Sequence, residues 1–130
     1  MIEMEQKVAE LSMSGLCCAQ VVLQIVGLEV QEQKNDQLIK AVRGLCYGMQ
    51  EQYLCGSLSG GICGLSLYDF TAEDLHDVCE ELIAWFEESF GGVNCSDLIG
   101  RGGDPAPICR DSMVQVCQKC FDILEDYEFI

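Results

Sequence analysis

Apolar residues recur at three- and four-residue steps along most of the chain. Leu38, Ile39, Val42, Leu45, Cys46 and Met49 form one such series, and Leu75, Val78, Cys79, Leu82 and Phe86 form another. That spacing lays one apolar stripe along one side of a helix, so the pattern predicts amphipathic helices over both stretches. The second has a marked start and stop. Thr71 with Asp74 resembles a capping box in which Asp replaces the usual Glu, and acids fill the first turn where they suit the helix dipole. Gly91-Gly92 is expected to end that helix just after Phe90.

From Leu16 to Leu28 the chain is apolar nearly all round, with only glutamines and a glycine interrupting. A helix without a polar face is one surrounded by others, so this segment is expected to be central. A short helix precedes it, from Ile2 to Met13, and stops at Ser14-Gly15. The last helix begins after the breaker run GRGGDPAP, with Cys109, Met113, Val116, Cys117, Cys120, Phe121 and Leu124 along one stripe. No alternating strand pattern of useful length competes. The fold expected is therefore all-α: one domain over residues 1–130, a bundle of about five to six short helices joined by short loops.

One predicted helix is unusual in composition. Leu54 to Leu65 reads LCGSLSGGICGL, and Gly56, Gly60 and Gly64 recur at every fourth position. Each glycine costs a helix about 1 kcal/mol relative to alanine, so something has to offset several of them. Close backbone approach to the central helix would do so, by the small-residue packing best established in membranes. It would also draw Cys55 toward Cys18.

Charge narrows the partners. The 130 residues include 7 Lys+Arg against 22 Asp+Glu, a formal charge of −15. Such a surface repels phosphate backbones and anionic lipid, which disfavours nucleic acid and membrane and favours a basic protein or a cation. The N-terminus, MIEMEQKVAEL, carries acids where a secretory signal has lysines followed by an apolar core. The run from Leu16 to Val30 is too short and too interrupted for a membrane span. A cytoplasmic location is expected.

The 10 cysteines then dominate the chemistry. In a reducing compartment such richness points to metal, cluster or redox chemistry rather than to a disulfide framework. Free cysteine is also a common small core hydrophobe, and Cys46, Cys63 and Cys79, within apolar faces, read that way. Cys18, Cys55, Cys95 and Cys109 differ, because each falls near a predicted helix N-terminus. There the unpaired backbone N–H groups and the dipole favour a thiolate, the form that binds metal or attacks disulfides.

Cys17 points about 100° away from Cys18 on a helix and is a secondary candidate, as a ligand or a resolving thiol. Cys117 and Cys120 form C-x-x-C, but Phe121 stands where haem attachment needs histidine, no strand precedes the motif, and no second C-x-x-C completes a zinc site. Core packing is their first reading, and an alternative ligand or relay the second. His76, the only histidine, sits on a polar face and leaves no cysteine–histidine pair with a second candidate. The glycines of CGSLSGG fit no phosphate-binding loop.

The ordered set CCAQVVL, CGSLSG, NCSDLIG and ICRDSMV resembles the C-GCAxxG-C-C family of redox-active proteins, small cysteine-rich helical proteins found mostly in anaerobic microbes. The resemblance spans nearly the whole chain and places Cys18, Cys55, Cys95 and Cys109 at the four family cysteines. GLCYG and ELIAWFEESFGG look like the branch with a doubled first cysteine. Ser57 replaces the family's usual alanine, and QEQY precedes Cys55 where glycines are common.

The resemblance implies a four-cysteine redox or metal centre. A similar helical domain accompanies multihaem electron-transfer proteins, so an iron–sulfur cluster, [2Fe–2S] first, is the cofactor expected on Cys18, Cys55, Cys95 and Cys109. The reading that follows is an electron-transfer or redox accessory protein serving a redox partner protein or larger enzyme, and the sequence is compatible with a homodimer. Thiol–disulfide exchange by the same cysteines is one alternative. A non-catalytic subunit, with zinc or merely packed cysteines and an acidic docking face, is the other.

Overall fold

Caps and breakers set the helix boundaries. The computed structural model describes residues 2–99 and 105–130, and among these it has seven α-helices and no strand. α1 (Ile2–Met13) stops at Ser14, and Gly15 turns the chain at φ +105°. α2 (Cys18–Leu23) continues into a widened i→i+5 segment, Gln24–Glu29. α3 (Asp36–Ala41) starts where the Asn35 side chain accepts the Leu38 N–H at 3.0 Å, and it tightens into a 3₁₀ turn over Val42–Leu45. α4 (Gly56–Leu65) is the glycine-rich helix.

α5 (Ala72–Phe90) has the start and stop expected of it. Thr71 Oγ1 accepts the Asp74 N–H at 3.0 Å, and Gly91 closes the helix at φ +80°. α6 (Cys95–Ile99) is little more than one turn, and with it the helices outnumber the five or six expected. α7 (Pro105–Asp126) completes the all-α fold. No helix among the described residues is long and apolar enough to cross a membrane.

α2 occupies the centre, as its all-round apolar sequence requires. Ala19, Val21, Val22, Leu23 and Val26 are fully buried, and α4, α7 and α1 pack around them. The widened end of α2 leaves carbonyls short of helical partners. Two side chains reach them: the Tyr68 hydroxyl donates to the Val26 carbonyl at 2.7 Å and Gln31 Nε2 to that of Gly27 at 2.8 Å.

The glycine stripe of α4 faces α2. A Cβ on Gly60 would lie 2.7 Å from the Ala19 carbonyl oxygen, and one on Gly64 would lie 2.9 Å from Val26 Cγ1. Real Cβ atoms do not approach backbone so closely, so glycine is what lets the two helices touch. Gly61, off the stripe, serves the other side of α4, where a Cβ would lie 2.8 Å from Val116 Cγ1 of α7.

The periodic series from Leu38 to Met49 does not make one continuous helix. The chain leaves helical geometry at Cys46 (φ −67°, ψ 151°), and Tyr47, Gly48, Met49, Gln50 and Gln52 all adopt left-handed φ between 55° and 68°. Gly48 is the obligatory breaker, because a Cβ there would strike the backbone of Tyr53. Met49, counted in the apolar stripe, is 53% exposed.

Candidate functional site

Two short backbone pairings bring distant cysteines together. Leu54 and Asn94 form an isolated antiparallel bridge, in which the Cys55 N–H donates to the Val93 carbonyl at 2.9 Å and the Cys95 N–H to the Tyr53 carbonyl at 2.6 Å. Cys55, the N-cap of α4, and Cys95, the first residue of α6, are thereby fixed side by side. Asp97 anchors the start of α6 by accepting the Asn94 N–H at 3.0 Å. The α2–α4 contact adds Cys18, the first residue of α2, whose sulfur occupies the space that a Cβ on Gly56 would need.

These residues line one cavity of about 230 Å³ together with Cys109, from the second turn of α7. All four cysteines singled out in the sequence therefore meet there. Cys55 and Cys95 are each 6% exposed, while Cys18 and Cys109 are half-buried. Two more cysteines share the wall: Cys17, joined to Cys46 in a disulfide with Cα atoms 6.0 Å apart. Cys46 is buried in a hydrophobic cluster, as its place in the apolar series predicts, but its disulfide was not foreseen. The available signal was GLCYG, a cysteine between two helix breakers rather than inside an unbroken stripe.

Cys117 and Cys120 lie elsewhere, fully buried in the main core. Burial pushes the Cys117 thiol up to about 12 and the Cys120 thiol well above its ordinary value. Cys63 and Cys79 are half-buried, and burial raises both of their thiols too.

The expectation that helix starts would depress the thiol pKa values is corrected for two of the four. The Cys18 thiol lies above its ordinary value, chiefly because burial penalises the thiolate. The backbone N–H groups of Tyr47, Ala19 and Cys18 itself oppose that rise, whereas the neighbouring Cys55 adds to it. Cys95 is raised by burial first, then by Cys55 and Cys18. N–H donors act in the direction foreseen, but loss of solvent outweighs them.

A buried hydroxyl pair braces the α4–α7 side of the cavity. Ser57 and Ser112 Oγ atoms are 2.8 Å apart, and Ser112 donates to the Cys109 carbonyl at 2.8 Å. Ser112 has a single proton, which is used there, so Ser57 donates to Ser112. Ser57→Ala removes one buried bond while leaving Ser112 bonded to Cys109. It is expected to lower unfolding free energy by about 1 kcal/mol in urea titrations.

Beside the four thiols, the cavity wall carries no His, Asp or Glu among the described residues. Among the described residues no three His, Cys, Asp or Glu side chains are grouped to hold a single metal ion. The four sulfurs suit in kind and number a cluster whose several irons spread its ligands apart. A structural zinc, by contrast, needs four donors within about 2.3 Å of one point.

No curated protein and no solved structure matches the chain. The family model described as "Putative redox-active protein (C_GCAxxG_C_C)" matches residues 16–127. That match takes in all six cysteines of the cavity wall and every helix after α1, so the chain belongs to the C_GCAxxG_C_C family of redox-active proteins.

Proposed function

We propose that the protein transfers electrons through an iron–sulfur cluster, [2Fe–2S] first, held by Cys18, Cys55, Cys95 and Cys109, and that it serves a larger redox enzyme or partner protein. One observation supports this above others: four cysteines at or near the starts of four different helices line a single cavity. Four thiolates are the usual ligand set for such clusters, and when bound the cluster supplies one-electron transfer.

The chain's own part is to hold and shield. The Leu54–Asn94 bridge fixes Cys55 against Cys95, the glycine contact sets Cys18 beside them, and Ser112 steadies the turn bearing Cys109. Backbone N–H groups around Cys18 offset negative charge that burial would otherwise disfavour. The acidic surface, with its net −15, favours a basic docking partner.

Anaerobic reconstitution with iron and sulfide tests the proposal. Wild-type protein is expected to gain visible absorption with iron and sulfide in integral ratio. Serine at Cys18, Cys55, Cys95 or Cys109 is expected to lower retained iron at least severalfold, and serine at Cys117 or Cys120 to leave it unchanged. A wild type that retains no iron would defeat the reading. Thiol–disulfide exchange by the same four residues is the second reading, favoured by their shared place on one cavity wall. The raised Cys18 and Cys95 thiols weigh against it, since the attacking species is the thiolate.

A further inference from the structure

Two residues of the cavity wall remain outside that ligand set, and they are already bonded. Cys17 and Cys46 form a disulfide whose 6.0 Å Cα separation falls inside the usual range of about 4.4–6.8 Å. Cys46 is 5% exposed, whereas Cys17 is half-buried at the N-cap of α2, so Cys17 is the residue of the pair more open to an incoming thiolate.

The surroundings of Cys17 also provide for its reduced form. Cys17 Sγ lies 3.4 Å from Gln20 Oε1, and that amide is fixed by the Cys17 N–H at 3.1 Å and by its own donation to the Ile39 carbonyl at 3.0 Å. A disulfide sulfur has no proton to give. Gln20 Oε1 therefore accepts from Cys17 Sγ only when the bond is open.

The bond is also wired to the four-cysteine centre. Cys17 precedes Cys18, Cys46 precedes Tyr47, and Tyr47 and Cys18 share the cavity wall, where the Cys18 sulfur and the Cys46 Cα both border Gly56. The disulfide thus ties the backbone at Cys46–Tyr47 to the Cys17–Cys18 start of α2. Beyond it the chain runs through left-handed Tyr47, Met49, Gln50 and Gln52, conformations that such residues keep only where surroundings hold them. Cys46 is also held by its N–H, which donates to the Arg43 carbonyl, and by its carbonyl, which accepts Gln50 Nε2 at 3.0 Å.

We propose that Cys17–Cys46 is a second redox site, a two-electron dithiol/disulfide couple whose substrate is a dithiol and whose state governs how the Cys46–Tyr47 backbone is tied to the start of α2. A donor thiolate bonds to Cys17 Sγ, and Cys46 leaves as thiolate and takes up a proton. The donor's second thiolate then attacks its own sulfur in the mixed disulfide, Cys17 leaves and is protonated, and the donor departs as a disulfide. The donor is oxidised by two electrons and the protein gains two hydrogens. Released Cys17 donates to Gln20, and the Cys46–Tyr47 backbone loses its tie to α2. This couple stands whether or not the other four cysteines hold a cluster, and its test reads no iron.

The full-length protein is equilibrated anaerobically in mixtures of oxidised and reduced dithiothreitol, alkylated and mapped by peptide mass. A Cys17–Cys46 cross-link is expected that opens and reforms reversibly with the ratio. Hydrogen exchange at Tyr47, by local opening, is expected to quicken on the order of tenfold on reduction. Cys46→Ser should exchange fast under both conditions, and Cys17→Ser gives the same reading if that variant does not fold. Absence of the cross-link at every ratio, a cross-link to another cysteine, or equal Tyr47 exchange in both states would overturn the proposal.

Discussion

Gly60→Leu is expected to lower stability by more than about 3 kcal/mol and to open the cysteine cavity, although leucine is the better helix former. Even a Cβ at this position would lie 2.7 Å from the Ala19 carbonyl oxygen and 3.0 Å from its Cα. Both are backbone atoms of α2 and cannot rotate aside, so α2 and α4 must separate. The helix-propensity gain on replacing glycine is at most about 1 kcal/mol, less than the usual overpacking cost of about 1–3 kcal/mol or more. Gly60→Ala should therefore also destabilise, by less than leucine. Ala19 follows Cys18 and Gly60 lies one turn beyond Cys55 and Gly56, so the same displacement reaches both sulfurs.

Urea denaturation gives the stability, and alkylation of Cys18 and Cys55 in the folded protein gives the site. Both thiols should react faster in Gly60→Leu than in wild type. Gly44→Ala is the control, since a Cβ there would meet nothing within 4 Å. Equal stability of Gly60→Ala and wild type, with unchanged alkylation, would show that the glycine contact sets neither.

Features that depend on local pattern were legible in the sequence. The bounds of α1, the Thr71 cap and Gly91 stop of α5, and the burial of α2 all follow from spacing, capping chemistry and the absence of a polar face. The glycine stripe was readable because fourfold spacing in a helix leaves one side bare. Cys18, Cys55, Cys95 and Cys109 could be separated from the other six by their nearness to helix starts, although their convergence depends on the Leu54–Asn94 bridge, which no local pattern announces.

What depended on tertiary environment was not legible. Cys46 and Met49 continue the apolar period of α3, yet from Tyr47 to Gln52 the chain turns left-handed at four non-glycine residues that propensity would not place there. Its direction is fixed by the close approach of Gly48 to Tyr53 and by the Cys17 bond, both beyond the reach of a helical count. Thiol acidity failed for a related reason. A helix start announces its N–H donors in sequence, but the water lost when α4, α6 and α7 close over Cys18 and Cys95 is a property of the assembled cavity. For these two thiols the second effect is the larger.

Opening the Cys17–Cys46 bond is expected to cost the whole fold about 3.5 kcal/mol, in addition to freeing Tyr47 locally. The cysteines are 29 residues apart, so the bond closes a loop of intermediate size and removes that much conformational freedom from the unfolded chain. For a domain whose total stability is about 5–15 kcal/mol this is a substantial fraction. Anaerobic urea denaturation with and without dithiothreitol should show a lower midpoint for the reduced protein. Cys46→Ala should start at the lower value and not respond to the reductant. The two consequences of reduction are separable: global stability reports the loop closed in the unfolded state, whereas Tyr47 exchange reports a native contact. A wild-type midpoint indifferent to dithiothreitol, with the cross-link confirmed open, would mean that the unfolded chain is not constrained by this bond. The stability estimate would then fail while leaving the Tyr47 measurement to stand or fall on its own.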